Sequence, residues 1–461
     1  MISLRSQLML VAVSLFSMIT VLQAEEKLPE KDIKSEQVLA EDMELEQAVK
    51  SGDGFEYHAY LRSGVLEGAK GGQGEPFQAP NSPAKYRLGN EAETYGELVL
   101  QKNFNVGQEG VQATIPIRLA YKKYQYDNWT PDTDEFSMVE VYGEFSGLDF
   151  DPDAKIWAGN RFYDRRDIHI NDYYWLDTSG YGAGILGYSF ADTGLTLDVA
   201  YLRGEPEQNY DLEGIGQISK QTIDMRLKNI DIGVGNLEVV FLGSFVKGGT
   251  YETKLTKGDE ERIVTTEVDS EYGFSACLIH TYNYANDSFN TLAFQYGNGV
   301  GKDFNSSLSA VDDVVGPDTW RFRCLDIGVY QPNSKFAMMY DIIYDCYDSG
   351  ADQDSFVYWY SVGARPTYYF DKNWSIAFEA GYDYTIGEGQ GEGGSDLKGS
   401  VTKFTFAPQL ALDNIFMARP VLRAFVTYAL WSDDFENIVG GSANANETDG
   451  LNFGFQVEAW F

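Results

Sequence analysis

The sequence predicts an all-β protein: a transmembrane antiparallel β-barrel of about eighteen strands, with one loop folded inward as a constriction. Three observations lead there. First, the chain ends on a stretch in which Leu451, Phe453, Phe455, Val457, Ala459 and Phe461 alternate with Asn452, Gly454, Gln456, Glu458 and Trp460. A period of two gives a strand one oily and one polar face. Second, similar stretches of about ten residues, parted by turns or by polar Gly/Asp/Asn loops, recur from Phe55 onward. Third, no later stretch approaches the roughly 20 continuous apolar residues of a spanning helix, so a membrane would be crossed by strands. Composition agrees: 31 Tyr, 28 Phe and 47 Gly stand against only 13 Pro, as suits strands, aromatic girdles and tight turns.

Taken in order, the chain opens with Arg5 and an apolar run from Leu8 to Leu22, with small Ala24 before Glu25. Residues 1–24 therefore read as a secretory signal peptide. Residues 25–54 are expected to form a short periplasmic extension, helical or disordered: they are rich in Glu and Lys, and residues 25–50 hold no aromatic side chain. Ser51, Gly52, Asp53 and Gly54 end it. Residues 55–461 form one barrel domain with no break in pattern. Trp374, Ile376, Phe378, Ala380, Tyr382 and Tyr384 interleave with Ser375, Ala377, Glu379, Gly381 and Asp383; Phe356, Tyr358, Tyr360 and Val362 do the same with Trp359, Ser361 and Gly363. Short turns such as Pro332-Asn333-Ser334 alternate with long polar segments such as Gly387 to Lys398 and Ser432 to Gly450. That asymmetry separates a membrane barrel from a soluble sandwich, which needs its oily faces to meet and loops of similar length at both ends. Arg165 to Tyr174 fails to alternate cleanly, which fits a loop folded into the lumen.

The formal charge is −35, which argues against the basic footprint of a nucleic-acid binder; solvated acidic loops are the plainer reading of it, and cation preference in a pore the other. Cys277, Cys324 and Cys346 are odd in number and widely spaced, so they form neither a disulfide framework nor a zinc pattern. His58, His169 and His280 are too scattered for a metal site. Neither a metal nor a cofactor is expected.

Parity assigns side chains to the lumen. With Tyr57, Ala59 and Leu61 toward lipid, His58, Tyr60 and Arg62 point inward. With Gly96, Leu98 and Leu100 outward, Tyr95, Glu97 and Val99 point inward. At the end of the chain Trp460 shares its face with Gln456 and Glu458. Each inward ring is one pleat from a charge: Tyr60 from Arg62, Tyr95 from Glu97, Trp460 from Glu458. Such pairs suit sugars, whose C–H face stacks on a ring at roughly 25 cal/mol per Å² buried. The hydroxyl edge then needs ionic donors and acceptors to replace water. Girdle or gap-filling aromatics are the plainer reading of the same residues.

A resemblance adds to this. The stretch from Trp157 to Gly184, WAGNRFYDRRDIHINDYYWLDTSGYGAG, closely resembles the signature region of the maltoporin (carbohydrate porin) family. FEYHAYLRSG from Phe55, KYRLGNEAETYGEL from Lys85 and RPVLRAFVTYALW from Arg419 are similar to it as well. The resemblance spans nearly all of residues 55–461. It implies an eighteen-stranded outer-membrane barrel, a homotrimer, and an aromatic slide that guides oligosaccharides. By position the slide comprises Tyr60, Tyr95, Trp129, Phe304, Phe416 and Trp460, Trp129 serving a neighbouring subunit's pore. Near Phe416 the match slips by one residue, because Met417 carries the inward parity. The hydroxyl-binding track would be Arg62, Arg87, Glu97, Arg165, Asp167 and Asp172, with Tyr174 narrowing the constriction. Ser137 stands where the family often has another arginine. Pro76 and Ala92 stand where its best-known members have a loop disulfide. Residues 25–50 are similar to, but much shorter than, the periplasmic coil of sucrose porins.

Asp167 and Asp172 could be posed as a glycosidase carboxylate pair, but pairing with Arg165 and Arg166 or with sugar hydroxyls explains them, and no nucleophile elbow occurs. No enzyme is expected. The expectation is facilitated diffusion of maltodextrin-like or other sugars, with a general diffusion porin as the alternative.

Overall fold

The computed structural model describes residues 54–461 apart from 106–109, 126–134, 191–192, 205–218, 258–259, 286, 309–315, 317 and 352–355. The expected signal peptide and extension lie outside the described residues, Gly54 excepted. The first half of the barrel runs through β1 (Gly54–Gly68), β2 (Glu93–Asn105), β3 (Gln112–Tyr124), β4 (Glu135–Ser146), β5 (Lys155–Ile168), β6 (Tyr173–Ser189), β7 (Thr196–Gly204), β8 (Lys220–Asp231) and β9 (Asn236–Val246). A two-stranded hairpin of β10 (Gly249–Lys257) and β11 (Glu260–Val268) follows, outside the main sheet. The second half runs through β12 (Glu271–Asn283), β13 (Phe289–Asn298), β14 (Trp320–Asn333), β15 (Phe336–Asp348), β16 (Phe356–Tyr369), β17 (Trp374–Gly387), β18 (Leu397–Ala411), β19 (Val421–Trp431) and β20 (Asp449–Trp460).

Every neighbouring pair in the 18-stranded sheet is antiparallel. β9 pairs directly with β12, and β20 returns to β1, with Tyr60 opposite Trp460 and Gly68 opposite Asn452. The sheet is therefore closed and has no edge, the one way strands can satisfy their backbone in lipid. The faces are those of a membrane barrel. In β17 the large apolar side chains Trp374, Phe378 and Tyr382 are exposed, while Ser375, Glu379, Asp383 and Thr385 are buried. A soluble protein would have it the other way round. Short turns such as residues 334–335 and 370–373 gather at one end, together with Phe461; the long connections 69–92, 247–270 and 432–448 gather at the other.

Two segments fold into the lumen. β5 pairs with β4 only from Ile156 to Asn160, and β6 pairs with β7 only from Tyr181 onward. Between those points Lys155–Ile168 and Tyr173–Ser189 pair with each other, so the hairpin tip leaves the wall on both flanks. The expected inward loop is thus a pair of strand ends joined by residues 169–172. Its broken alternation comes from that turn, and bulges flank it: Tyr163 is the extra residue between Phe162 and Asp164, and Trp175 the one opposite the step from Arg166 to Asp167, each of which shifts the side-chain parity by one.

The second inward segment is the connection between β1 and β2. Its Tyr86 ring lies on Gly363 of β16 and Gly381 of β17, where a Cβ would come within 1.9 and 2.0 Å of ring atoms. Lys403 Nζ (2.7 Å) and Thr405 Oγ1 (3.0 Å) donate to the Leu88 carbonyl, and Thr427 Oγ1 donates to that of Gly89 (3.0 Å). These bonds satisfy backbone that has left the sheet. One side of the lumen is then filled with apolar packing. Inward residues Val240, Leu242, Ile279, Leu325, Ile327 and Ile343 meet Ile168, Ile170 and Trp175 of the hairpin, together with Tyr86.

Candidate functional site

Opposite that filling, the seam strands carry a polar wall. Register builds it: Tyr60 faces Glu97 across β1–β2 and Trp460 across β1–β20, while Arg62 faces Tyr95 and Glu458. Cross-strand neighbours of this kind touch. The Tyr60 ring lies 6.1 Å from that of Tyr95 and 6.3 Å from that of Trp460, nearly parallel to the latter at 21°. Three rings thus form a continuous row.

Ions flank the row on both sides. Arg62 lies over the Tyr95 ring at 5.3 Å, bonds Glu93, and approaches Glu91 (3.4 Å) and Asp172 (3.6 Å). Arg87 donates to Glu91 Oε1 (2.9 Å) and to the Tyr60 hydroxyl (2.9 Å). That hydroxyl in turn donates to Glu458 Oε1 (3.2 Å). Glu458 Oε2 also accepts from Arg419 (2.8 Å) and Arg423 (2.9 Å), and Arg419 covers the Trp460 ring at 4.2 Å. His169, from the hairpin tip, meets Trp460 edge-on at 5.9 Å. On β2 the Tyr95 hydroxyl bonds Glu97, which also accepts from Arg118 (2.6 Å); Arg118 bonds Glu140 as well. Charge-assisted bonds of this type fix side-chain orientation.

The hairpin continues the strip. Arg165 is sandwiched between the rings of Phe162 (4.1 Å) and Tyr174 (4.2 Å) and approaches Asp177 (3.3 Å). Asp167 stands opposite Tyr174 in the hairpin register. In the turn, burial opposes the charge on Asp172, but Arg87, Arg62 and Lys85 outweigh it and hold the carboxyl below its usual range. Burial pushes His169 well below the usual imidazole range, with Arg87 and Arg419 reinforcing the shift against Glu458. His169 is therefore neutral near pH 7.

The structure brings Tyr60, Tyr95, Trp460, Arg62, Arg87, Glu97 and Asp172 together on one wall. Arg165, Asp167 and Tyr174 lie beside them on the hairpin. Two expected slide residues do not join the row. Phe304 is fully buried, its ring under Arg323 at 4.9 Å, so it offers no face to a solute. Phe416 is buried too; its N–H donates to Gln331 Oε1 (3.1 Å), and it packs with Met417 on the apolar side. Choosing between Phe416 and Met417 by strand parity does not work, because residues 412–420 lie between β18 and β19 and have none. Trp129 lies outside the described residues. Ser137 brings no cation, and the guanidinium that reaches Glu97 comes from Arg118.

Sequence reasoning missed Arg118, Glu140 and Arg423 as partners, although parity carries the signal: Arg118 sits opposite Val99 and Glu140, on the face of Glu97. Glu91, His169 and Arg419 lie outside strands, so no alternation marks them. All three cysteines are free thiols. Among the described residues no His/Cys/Asp/Glu group is arranged to hold a metal.

Residues 55–461 match the family model described as LamB porin. Among solved structures the chain is similar to OpdK of Pseudomonas aeruginosa with vanillate, at 9% identity and a TM-score of 0.48, covering 89% of this chain and 100% of that one. OccK2 (OpdF) of the same organism gives 12% identity and 0.47, covering 88% and 97%. A BenF-like porin from Pseudomonas fluorescens Pf-5 gives 11% and 0.47, covering 88% and 99%.

Proposed function

The chain belongs to the LamB porin family, outer-membrane β-barrel channels, and from that premise we propose that it conducts carbohydrates by facilitated diffusion. The observation that carries this reading is the row Tyr95–Tyr60–Trp460 with paired ions on its flanks. Stacking the C–H face of a pyranose on these rings removes apolar surface from water. Arg62, Arg87, Glu97 and Asp172, with Arg165, Asp167 and Tyr174 along the hairpin, supply donors and acceptors to the hydroxyl edge. Arg62, Arg87, Arg118, Arg419 and Arg423 each touch a carboxylate, so this strip favours a neutral polyhydroxylated solute over a strongly charged one. Overlapping shallow sites let the solute both enter and leave. Trp129, by resemblance, would serve the pore of an adjacent subunit in a homotrimer. Maltodextrin-like oligosaccharides are the first candidates.

The alternative is a general diffusion porin. It draws support from the guanidiniums already stacked on Tyr95 and Trp460, which could make these rings wall packing. Liposome swelling separates the two. A sugar-selective channel admits maltotriose faster than a smaller non-sugar polyol; a general porin ranks solutes by size alone.

A further inference from the structure

We propose that Asp341 is a positioning residue that works in its protonated form, clamping both inward segments and thereby setting the width of the constriction. Asp341 points inward from β15 and is fully buried. Its Oδ2 accepts from the Tyr86 hydroxyl of the first inward segment (3.1 Å) and from Asn171 Nδ2 of the hairpin tip (3.3 Å). The two segments that carry Arg87 and Asp172 thus meet at one carboxyl group. Its other oxygen, Oδ1, has no partner, and neither has Asn171 Oδ1, although both are buried. Two acceptor oxygens on side chains already joined by one hydrogen bond call for one proton. With Oδ1 protonated, Asp341 donates to Asn171 Oδ1 while Asn171 donates to Oδ2, a cyclic acid–amide pair that satisfies both orphans.

The surroundings favour that neutral form. From β16, Ser361 bonds the Tyr86 hydroxyl (2.7 Å). Arg365 also acts on Asp341, but it is held by Glu379 of β17 (2.7 Å). Lys403 of β18 is bonded to the same Glu379 (2.8 Å). From β17, Asp383 adds a second buried carboxylate, occupied by the Trp359 indole N–H (2.8 Å). No cation bonds Asp341 among the described residues, and a second buried carboxylate, Asp383, lies on β17. Loss of the proton to solvent would set an anionic Oδ1 against the lone pairs of Asn171 Oδ1 and release the tip.

The test reads ion conductance in planar bilayers, so it does not depend on which solute the channel prefers. As pH is raised from about 4, the ordinary carboxyl range, to about 10, the wild type is expected to show a reversible rise in single-channel conductance as the clamp ionises. Asp341→Asn, whose amide makes the same cyclic pair and cannot ionise, is expected to keep the low-pH conductance and lose the rise. Asp383→Asn removes the neighbouring charge and is expected to move the rise to lower pH without abolishing it, which also shows that a folded variant of this wall still responds. A wild-type conductance flat across this range, or a rise retained in Asp341→Asn, would overturn the proposal. So would an Asp341→Asn channel that migrates as a folded barrel yet is wide at every pH.

Discussion

Two halves of one lumen solve opposite problems. Along β9 and β12–β15 an apolar cluster on the inner face packs against the hairpin tip, with polar side chains such as Asp341 set beside it, so this half behaves as a protein core. Around β1, β2, β19 and β20 the inner face carries rings and paired ions, and it is the surface we propose for solute binding. The comparison teaches that the barrel is a scaffold with an internal lining. The packed half sets where the hairpin lies, and the hairpin then presents Arg165, Asp167, Asp172 and Tyr174 toward the polar half. On the proposed reading, width is decided on one side and selectivity on the other.

The largest expected effect is on the packed half. Trp175→Ala removes a ring that is 2% exposed and should cost about 3–5 kcal/mol. It would be read as a lower temperature for loss of the folded band on electrophoresis, with noisier, wider channels. A comparable cost with an additional signature is expected on the polar half. Glu458→Gln deprives Arg87, Arg419 and Arg423 of a shared counter-charge, and breaking a buried pair from one side costs about 3–5 kcal/mol. Reversal potentials in a salt gradient should shift toward anion preference; an unchanged selectivity would mean that the strip is not on the ion path. A smaller effect follows from Tyr95→Ala, which should weaken sugar affinity about tenfold, or ~1.4 kcal/mol, measured as the concentration that half-blocks the current. The smallest concerns His169. Its lowered pKa keeps it neutral well below the usual 6.5, so sugar affinity should not change between about pH 5 and 7. In stability the sign is fixed by the same shift: the unfolded chain takes up the proton first, so His169's contribution is full above its unfolded value and declines as pH falls below it. A step in affinity near the ordinary imidazole value would contradict its burial.

How much of this was legible in the sequence differs between the halves. On the seam strands one face is oily and the other polar, so parity found Tyr60, Arg62, Tyr95, Glu97 and Trp460 and put them on the same wall. In β14 both faces carry apolar side chains: Leu325, Ile327 and Val329 point inward while Phe322, Cys324 and Tyr330 point the other way. Period-two reasoning has no contrast to work with there, and the packed half went unseen. The hairpin was recognised only as a failure of alternation, because bulges reset parity without changing composition. Phe304 and Phe416 illustrate a further limit. Both lie on connections between strands, where resemblance supplies a position but not a burial state, and both proved to be packing residues.

The most direct measurement is the current through single channels in a planar bilayer as malto-oligosaccharide is added. Sugar binding on the ring row requires reversible block that saturates with concentration, with the half-blocking concentration raised when Trp460 is replaced by Ala. Current that falls only in proportion to solution viscosity, the same for wild type and Trp460→Ala, would contradict it.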